Sequence, residues 1–258
     1  MNFASQYYLD KRAMNINKRL ISTLLVTGSM CLSFSHQAFS AVSLDRTRAV
    51  FNGTEKNLIV NIANDSTKKP YLAQAWLEDA HGKKLTDYLM VTPPMQRLEP
   101  SQKSVIRITS LPAVKSLPQD RESLFYFSVR EVPPKSDHPN VLQLALQTKI
   151  KLFYRPVAIV AERFSEHDDQ LVLHKMSGGY KIVNPSPYYM TVLGITGKPG
   201  QAVAKDFKPV MIAPKSSETV RSAVFSEPHV ITINDFGGKP VVPYSCHGDI
   251  CQAKAKQA

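Results

Sequence analysis

Residues 141–155 read VLQLALQTKIKLFYR, and their alternation decides the fold class. In an extended chain successive side chains point to opposite sides. Leu142, Leu144, Leu146, Thr148 and Ile150 then share one face, and Gln143, Ala145, Gln147, Lys149 and Lys151 share the other. Two readings of the leucine row follow. In the first the leucines face the core of a half-buried sheet. In the second part of the row stays available to a partner, because an apolar row on an open edge is an aggregation hazard that a protein keeps only where pairing is intended.

Towards the N-terminus the same grammar recurs. Short runs of β-branched, aromatic and aliphatic residues predict strands over 49–51, 57–62, 71–77, 104–108, 124–132 and 141–153. Turn-forming clusters separate them: Asn52-Gly53, Asn64-Asp65-Ser66, Pro93-Pro94, Pro133-Pro134 and Asp137-His138-Pro139. No long stretch carries a 3.6-residue period. This spacing fits a β-sandwich of about 100 residues, with the single tryptophan, Trp76, expected as an anchor of its core. After Arg155-Pro156 a charged stretch, Glu162 to Asp169, interrupts the pattern. Strands then resume over 171–174, 180–183, 188–195, 210–212, 218–221 and 230–233, punctuated by Gly178-Gly179, Gly197 to Gly200 and Gly237-Gly238. Two β-sandwiches in tandem follow.

The first forty residues read differently. Lys18 and Arg19 precede an apolar run from Leu20 to Leu32, and Ala38-Phe39-Ser40 supplies the small-residue pattern of a cleavage site. This is a secretory leader, expected to start at Met14, with an apolar core short of the roughly 20 residues that span a bilayer. The expected division is therefore a leader over 1–40, a first domain over 41–160 and a second over 161–258. Removing Lys11, Arg12, Lys18, Arg19 and Asp10 with the leader leaves 28 basic against 20 acidic residues, a net charge of +8. The basic residues are scattered rather than blocked, which reads as an ordinary solvated surface and not as a nucleic-acid footprint.

Cys31 leaves with the leader, so Cys246 and Cys251 remain as an even pair in an exported chain, the signature of a disulfide. Only His247 and Asp249 accompany them as further ligand types, too little for a zinc tetrahedron. No metal ligand set, cofactor loop or catalytic constellation is recognisable: Gly-x-Ser-x-Gly, Walker and His-Glu-x-x-His patterns are all missing, and the histidines are dispersed. An enzyme is not expected.

Seven segments together carry a family resemblance: AVSLDRTRAVF (41–51), YLAQAW (71–76), TPPMQRLEP (92–100), LPQDRESLFYFSVREVPP (117–134), VLQLALQTKIKLFYRP (141–156), NPSPYY (184–189) and INDFGG (233–238). They resemble the periplasmic chaperones of the chaperone–usher pilus pathway across nearly all of the chain after the leader. The resemblance implies an all-β protein of two immunoglobulin-like β-sandwich domains in a boomerang arrangement, with a cleft between them. It implies that Arg48, in DRTR, and Lys151, in TKIK, grip the C-terminal carboxylate of a pilus subunit. A guanidinium and an ammonium converging on one carboxylate would make charge-assisted hydrogen bonds and set the register of the incoming chain.

It further implies that Leu142, Leu144 and Leu146 enter the groove of an incomplete pilin by strand addition, and that Glu122, Arg155 and Asp235 form a buried charge network holding the interdomain angle. The implied partners are pilins, an adhesin and an outer-membrane usher, with a second copy of the chain as another occupant of the leucine row in the free protein. The short stretch 133–140 resembles the subclass that serves rod-like pili. Two rivals remain at this stage. A pilin would carry an alternating N-terminal extension, whereas this chain opens into DRTRAVF; a secreted hydrolase would need a triad built from distant residues.

Overall fold

The computed structural model describes residues 40–136, 140–160 and 167–255. The leader up to Phe39, the Asp137–Pro139 break and most of the charged stretch after residue 160 lie outside the described residues.

The first domain begins with β1 (Val42–Leu44), β2 (Arg48–Asn52), β3 (Asn57–Asn64), β4 (Tyr71–Glu78) and the two-residue β5 (Lys84–Leu85). It continues with β6 (Leu89–Thr92), β7 (Met95–Leu98), β8 (Lys103–Ser110), β9 (Ser123–Val132) and β10 (Gln147–Arg155). One sheet runs β1-β3-β8-β6 and the other β2-β10-β9-β4-β5, with β7 also pairing β4. Period-two alternation builds the core between them. In β3, Leu58, Val60 and Ile62 are buried while Asn57, Ile59 and Asn61 face solvent. Phe51, Leu77, Phe127 and Leu152 meet this row from the opposite sheet.

The second domain contains β11 (Val172–Met176), β12 (Gly179–Asn184), β13 (Met190–Thr196) and β14 (Val210–Ile212). After these come β15 (Ser216–Arg221), β16 (His229–Thr232), β17 (Val241–His247) and β18 (Ile250–Ala253). They follow one path, β14-β13-β16-β17-β18-β11-β12-β15, whose end strands β14 and β15 also touch. Every one of these strands sends at least one side chain into a second core, from Leu173 and Tyr180 to Tyr244 and Cys251. Cys246 and Cys251 face each other across the β17–β18 hairpin, Cα atoms 3.9 Å apart, and are joined as a disulfide.

Three expectations are corrected. Trp76 is not a core anchor: Ala73, Ala75 and Leu77 take the inner face of β4. The indole lies outside, between Lys84 and Arg130, and its Nε1–H donates to Glu78 at 2.6 Å. The strand expected from 141 begins at Gln147, where the register with β9 starts. The leucines therefore do not face the core; Leu142 is 83 %, Leu144 67 % and Leu146 40 % exposed. Strands β1, β5, β6, β7, β17 and β18 were not among the expected runs. Most are short, and β17 is broken in sequence by Pro243.

Candidate functional site

The site is built on β10, whose two ends have different surroundings. Along one edge β10 pairs antiparallel with β9 from Gln147↔Arg130 to Tyr154↔Ser123. Along the other it pairs in parallel with β2, but only from Lys151↔Arg48 to Arg155↔Asn52. Residues 147–150 thus present an open edge, and 141–146 extend it as chain that belongs to no strand. Two bonds steady that extension: Glu131 N–H donates to Leu146 O at 3.0 Å, and Gln143 Nε2 donates to Pro134 O at 2.6 Å.

Where the open lane ends, β2 begins, and there Arg48 and Lys151 stand side by side as register partners. Their parity puts them on the outer face, opposite Ala49, Phe51 and Leu152, which go to the core. Arg48 is only 7 % exposed. Its Nη1 donates to Ile233 O at 2.7 Å and Asn234 O at 3.1 Å, its Nη2 to Thr191 Oγ1 at 3.4 Å, and its guanidinium lies 5.4 Å from the Phe153 ring centroid. Lys151 is half-buried and makes no ion pair or side-chain hydrogen bond among the described residues. Burial, and then the Arg48 charge beside it, push its pKa below the ordinary lysine value. Burial likewise lowers that of Arg48, against the pull of Asp235, Glu122 and Asp168. Among the described residues no carboxylate contacts either cation. Two partly desolvated like charges thus stand side by side with no carboxylate counter-ion among the described residues.

Four residues further along β10, Arg155 has the reverse situation. Its Nε and Nη2 donate to Glu122 Oε1 at 2.9 and 2.7 Å, and Nη2 donates to Asp235 Oδ2 at 2.9 Å. The guanidinium stacks 4.6 Å from the Tyr188 ring. Glu122 Oε2 accepts Tyr189 N–H at 2.8 Å, and Glu122 N–H donates to Pro187 O at 2.9 Å. Burial opposes the Arg155 charge, yet Glu122 and Asp235 outweigh it and the pKa is raised. This cluster joins β9 and β10 to the second-domain segments at 187–189 and 235, and the Phe153–Tyr189 ring contact at 5.5 Å lies beside it.

The structure thus brings Arg48 next to Lys151, leaves Leu142, Leu144 and Leu146 open, and unites Glu122, Arg155 and Asp235. Sequence reasoning missed the partners of Arg48, which are Thr191 and the carbonyls of Ile233 and Asn234. Carbonyl acceptors leave no trace in residue type, and these lie more than 140 positions from Arg48 along the chain.

Residues 41–160 match the family described as pili and flagellar-assembly chaperone, PapD N-terminal domain, and residues 166–242 match pili assembly chaperone PapD, C-terminal domain. The Escherichia coli chaperone protein PapD is 52 % identical over 221 residues, 85 % of this chain and 92 % of that one. The Proteus mirabilis chaperone protein PmfD is 42 % identical over 242 residues, 92 % of this chain and 95 % of that one. Among solved structures, the Salmonella enterica SafA pilin in complex with the SafB chaperone superposes with a TM-score of 0.68 at 25 % identity, covering 82 % of this chain and 99 % of that one. On these matches the chain belongs to the PapD family of pili assembly chaperones.

Proposed function

We propose that this chain is a periplasmic chaperone that binds pilus subunits by lending residues 142–146 as a strand, and that Arg48 and Lys151 anchor the C-terminal carboxylate of the subunit. One observation carries the reading: an exposed leucine row on an open strand edge terminates at two cations that have no carboxylate partner among the described residues. A subunit strand that ends at Arg48 and Lys151 and runs back beside residues 150–142 occupies the lane that β2 leaves free. It then lies in line with β2 and parallel to β10. Main-chain hydrogen bonds give sequence-tolerant affinity, and burying each leucine in the groove of the subunit adds about 1.5–3 kcal/mol.

Covering the groove in this way prevents subunits from aggregating, and the loaded chaperone delivers them to an outer-membrane usher. In the free protein the leucine row is open to a second copy of the chain. The leader 1–40 directs export, residues 41–160 carry the strand and the anchor, and residues 161–258 form the other wall of the cleft. The role is binding rather than catalysis, needs no cofactor, and does not involve nucleic acid. Glu122, Arg155 and Asp235 hold the two domains in register.

The test is co-purification of the full chain with a pilin co-expressed in the periplasm. Wild type yields a one-to-one complex, and Lys151→Ala, folded normally, loses it. Full pilin recovery with both Lys151→Ala and Arg48→Ala would refute the anchor.

A further inference from the structure

Arg48 offers five N–H groups. Nη1 donates to the carbonyls of Ile233 and Asn234, and Nη2 donates to Thr191 Oγ1. Among the described residues Nε makes no hydrogen bond and Nη2 makes only the long one to Thr191, so the less engaged side of the guanidinium is the Nε/Nη2 side, the one that can meet a carboxylate in two parallel bonds. The acceptors come from a closed turn. Asn234 N–H donates to Gly238 O at 3.0 Å and Gly237 N–H donates to Asn234 O at 3.0 Å. Asn234 Oδ1 accepts the N–H groups of Phe236 at 3.2 Å and Gly238 at 2.8 Å. Gly237 sits at φ +82°, and a Cβ there would come within 2.7 Å of Thr47 Oγ1, next to Arg48 in the chain. The turn therefore approaches β2 as closely as a glycine permits.

We propose that the turn 233–238 of the second domain is a positioning element for the carboxylate anchor. By holding Nη1 of Arg48 it fixes the guanidinium so that the Nε/Nη2 edge is the one presented to the subunit. Asn234 and Gly237 touch no subunit atom in this role; they act through Arg48. The inference rests on the reading of Arg48 and Lys151 as a carboxylate anchor and assigns its geometry to the second domain. It makes end recognition a property of both domains together, although β10 and β2 both belong to the first.

The experiment compares binding of a lysine-tagged synthetic peptide of alternating valine and serine, long enough to span the Leu142–Lys151 lane, as free acid and as C-terminal amide. Wild type prefers the acid by about tenfold or more, as expected for charge-assisted bonds. In Gly237→Ala the preference falls towards unity while the affinity for the amide is unchanged, because the lane along β10 is intact. Asn234→Ala gives the same collapse by removing the acceptor that closes the turn, and it decides the matter if thermal unfolding shows that Gly237→Ala does not fold. A purely structural role for the turn would move acid and amide affinities equally. An undiminished acid preference in both folded variants overturns the positioning role and leaves the anchor standing. No acid preference or no binding in wild type overturns the anchor, and the inference with it.

Discussion

Arg155 and the Arg48–Lys151 pair are cationic sites on the outer face of the same sheet, and their surroundings are opposite. Arg155 meets two carboxylates and an aromatic face, and Glu122 in turn has all its oxygens in hydrogen bonds. Arg48 meets neutral acceptors, and Lys151 meets a like charge. A buried charge that is fully paired is complete within the fold, whereas one left unpaired by carboxylates stores an interaction that only a ligand can supply. The paired site links residues of both domains; on the proposed reading the unpaired site is where the subunit chain would end.

The comparison breaks most visibly if one partner of the paired site is removed. Glu122→Ala leaves Arg155 buried with only the partly exposed Asp235, and the expected loss of stability is about 3–5 kcal/mol. Chemical denaturation of the full chain measures it. A loss below about 1 kcal/mol, the scale of an ordinary surface ion pair, would mean that the cluster does not hold the domains.

Lys151→Met sharpens the comparison from the other side. The methionine keeps the apolar stem and removes an ammonium that burial and Arg48 both disfavour. The free protein is expected to gain thermal stability, while acid-peptide affinity falls about 10- to 100-fold, the range for a hydrogen bond to a charged group. Opposite signs for stability and binding at one residue are what a ligand site predicts. A destabilised Lys151→Met would place this lysine with Arg155 among structural cations.

How much of this was legible in the sequence differs between its parts. The alternation in β3 announced a strand because it has one wet and one dry face, so period two appears in residue type. The phase of Trp76 was also readable. Its neighbours on the same face are Gln74 and Glu78, while Ala73, Ala75 and Leu77 form the apolar phase, so the size of the indole misled where the parity did not. The exposure of Leu142 was not readable, since an apolar alternation looks the same whether a groove or a core awaits it. Arg48 and Lys151 came from motif resemblance, but the contact of Arg48 with the turn 233–238 depends on how two domains meet, which no local pattern encodes.

The smallest effect expected is a pH dependence with two opposite slopes. In the free protein the Lys151 pKa lies below the ordinary lysine value that it regains on unfolding. Between those values the unfolded chain binds more protons than the folded one, so the stability of the free protein rises with pH in this alkaline window. Binding works in the other direction. A carboxylate against the ammonium favours its charged form and raises the pKa again, so the complex holds a proton that the free protein has begun to lose. Acid-peptide affinity is therefore constant at neutral pH and falls as pH climbs through the lowered pKa, by up to about tenfold per pH unit for a single proton. Other lysines and tyrosines titrate in the same region, so the quantity to measure is the difference between wild type and Lys151→Arg, whose guanidinium stays charged throughout. Calorimetric titration across the window should show proton uptake with the acid peptide for wild type and much less for the variant or the amide. Identical slopes in wild type and Lys151→Arg would show that the lysine does not meet the carboxylate, and the contrast between the paired and unpaired sites would then rest on Arg48 alone.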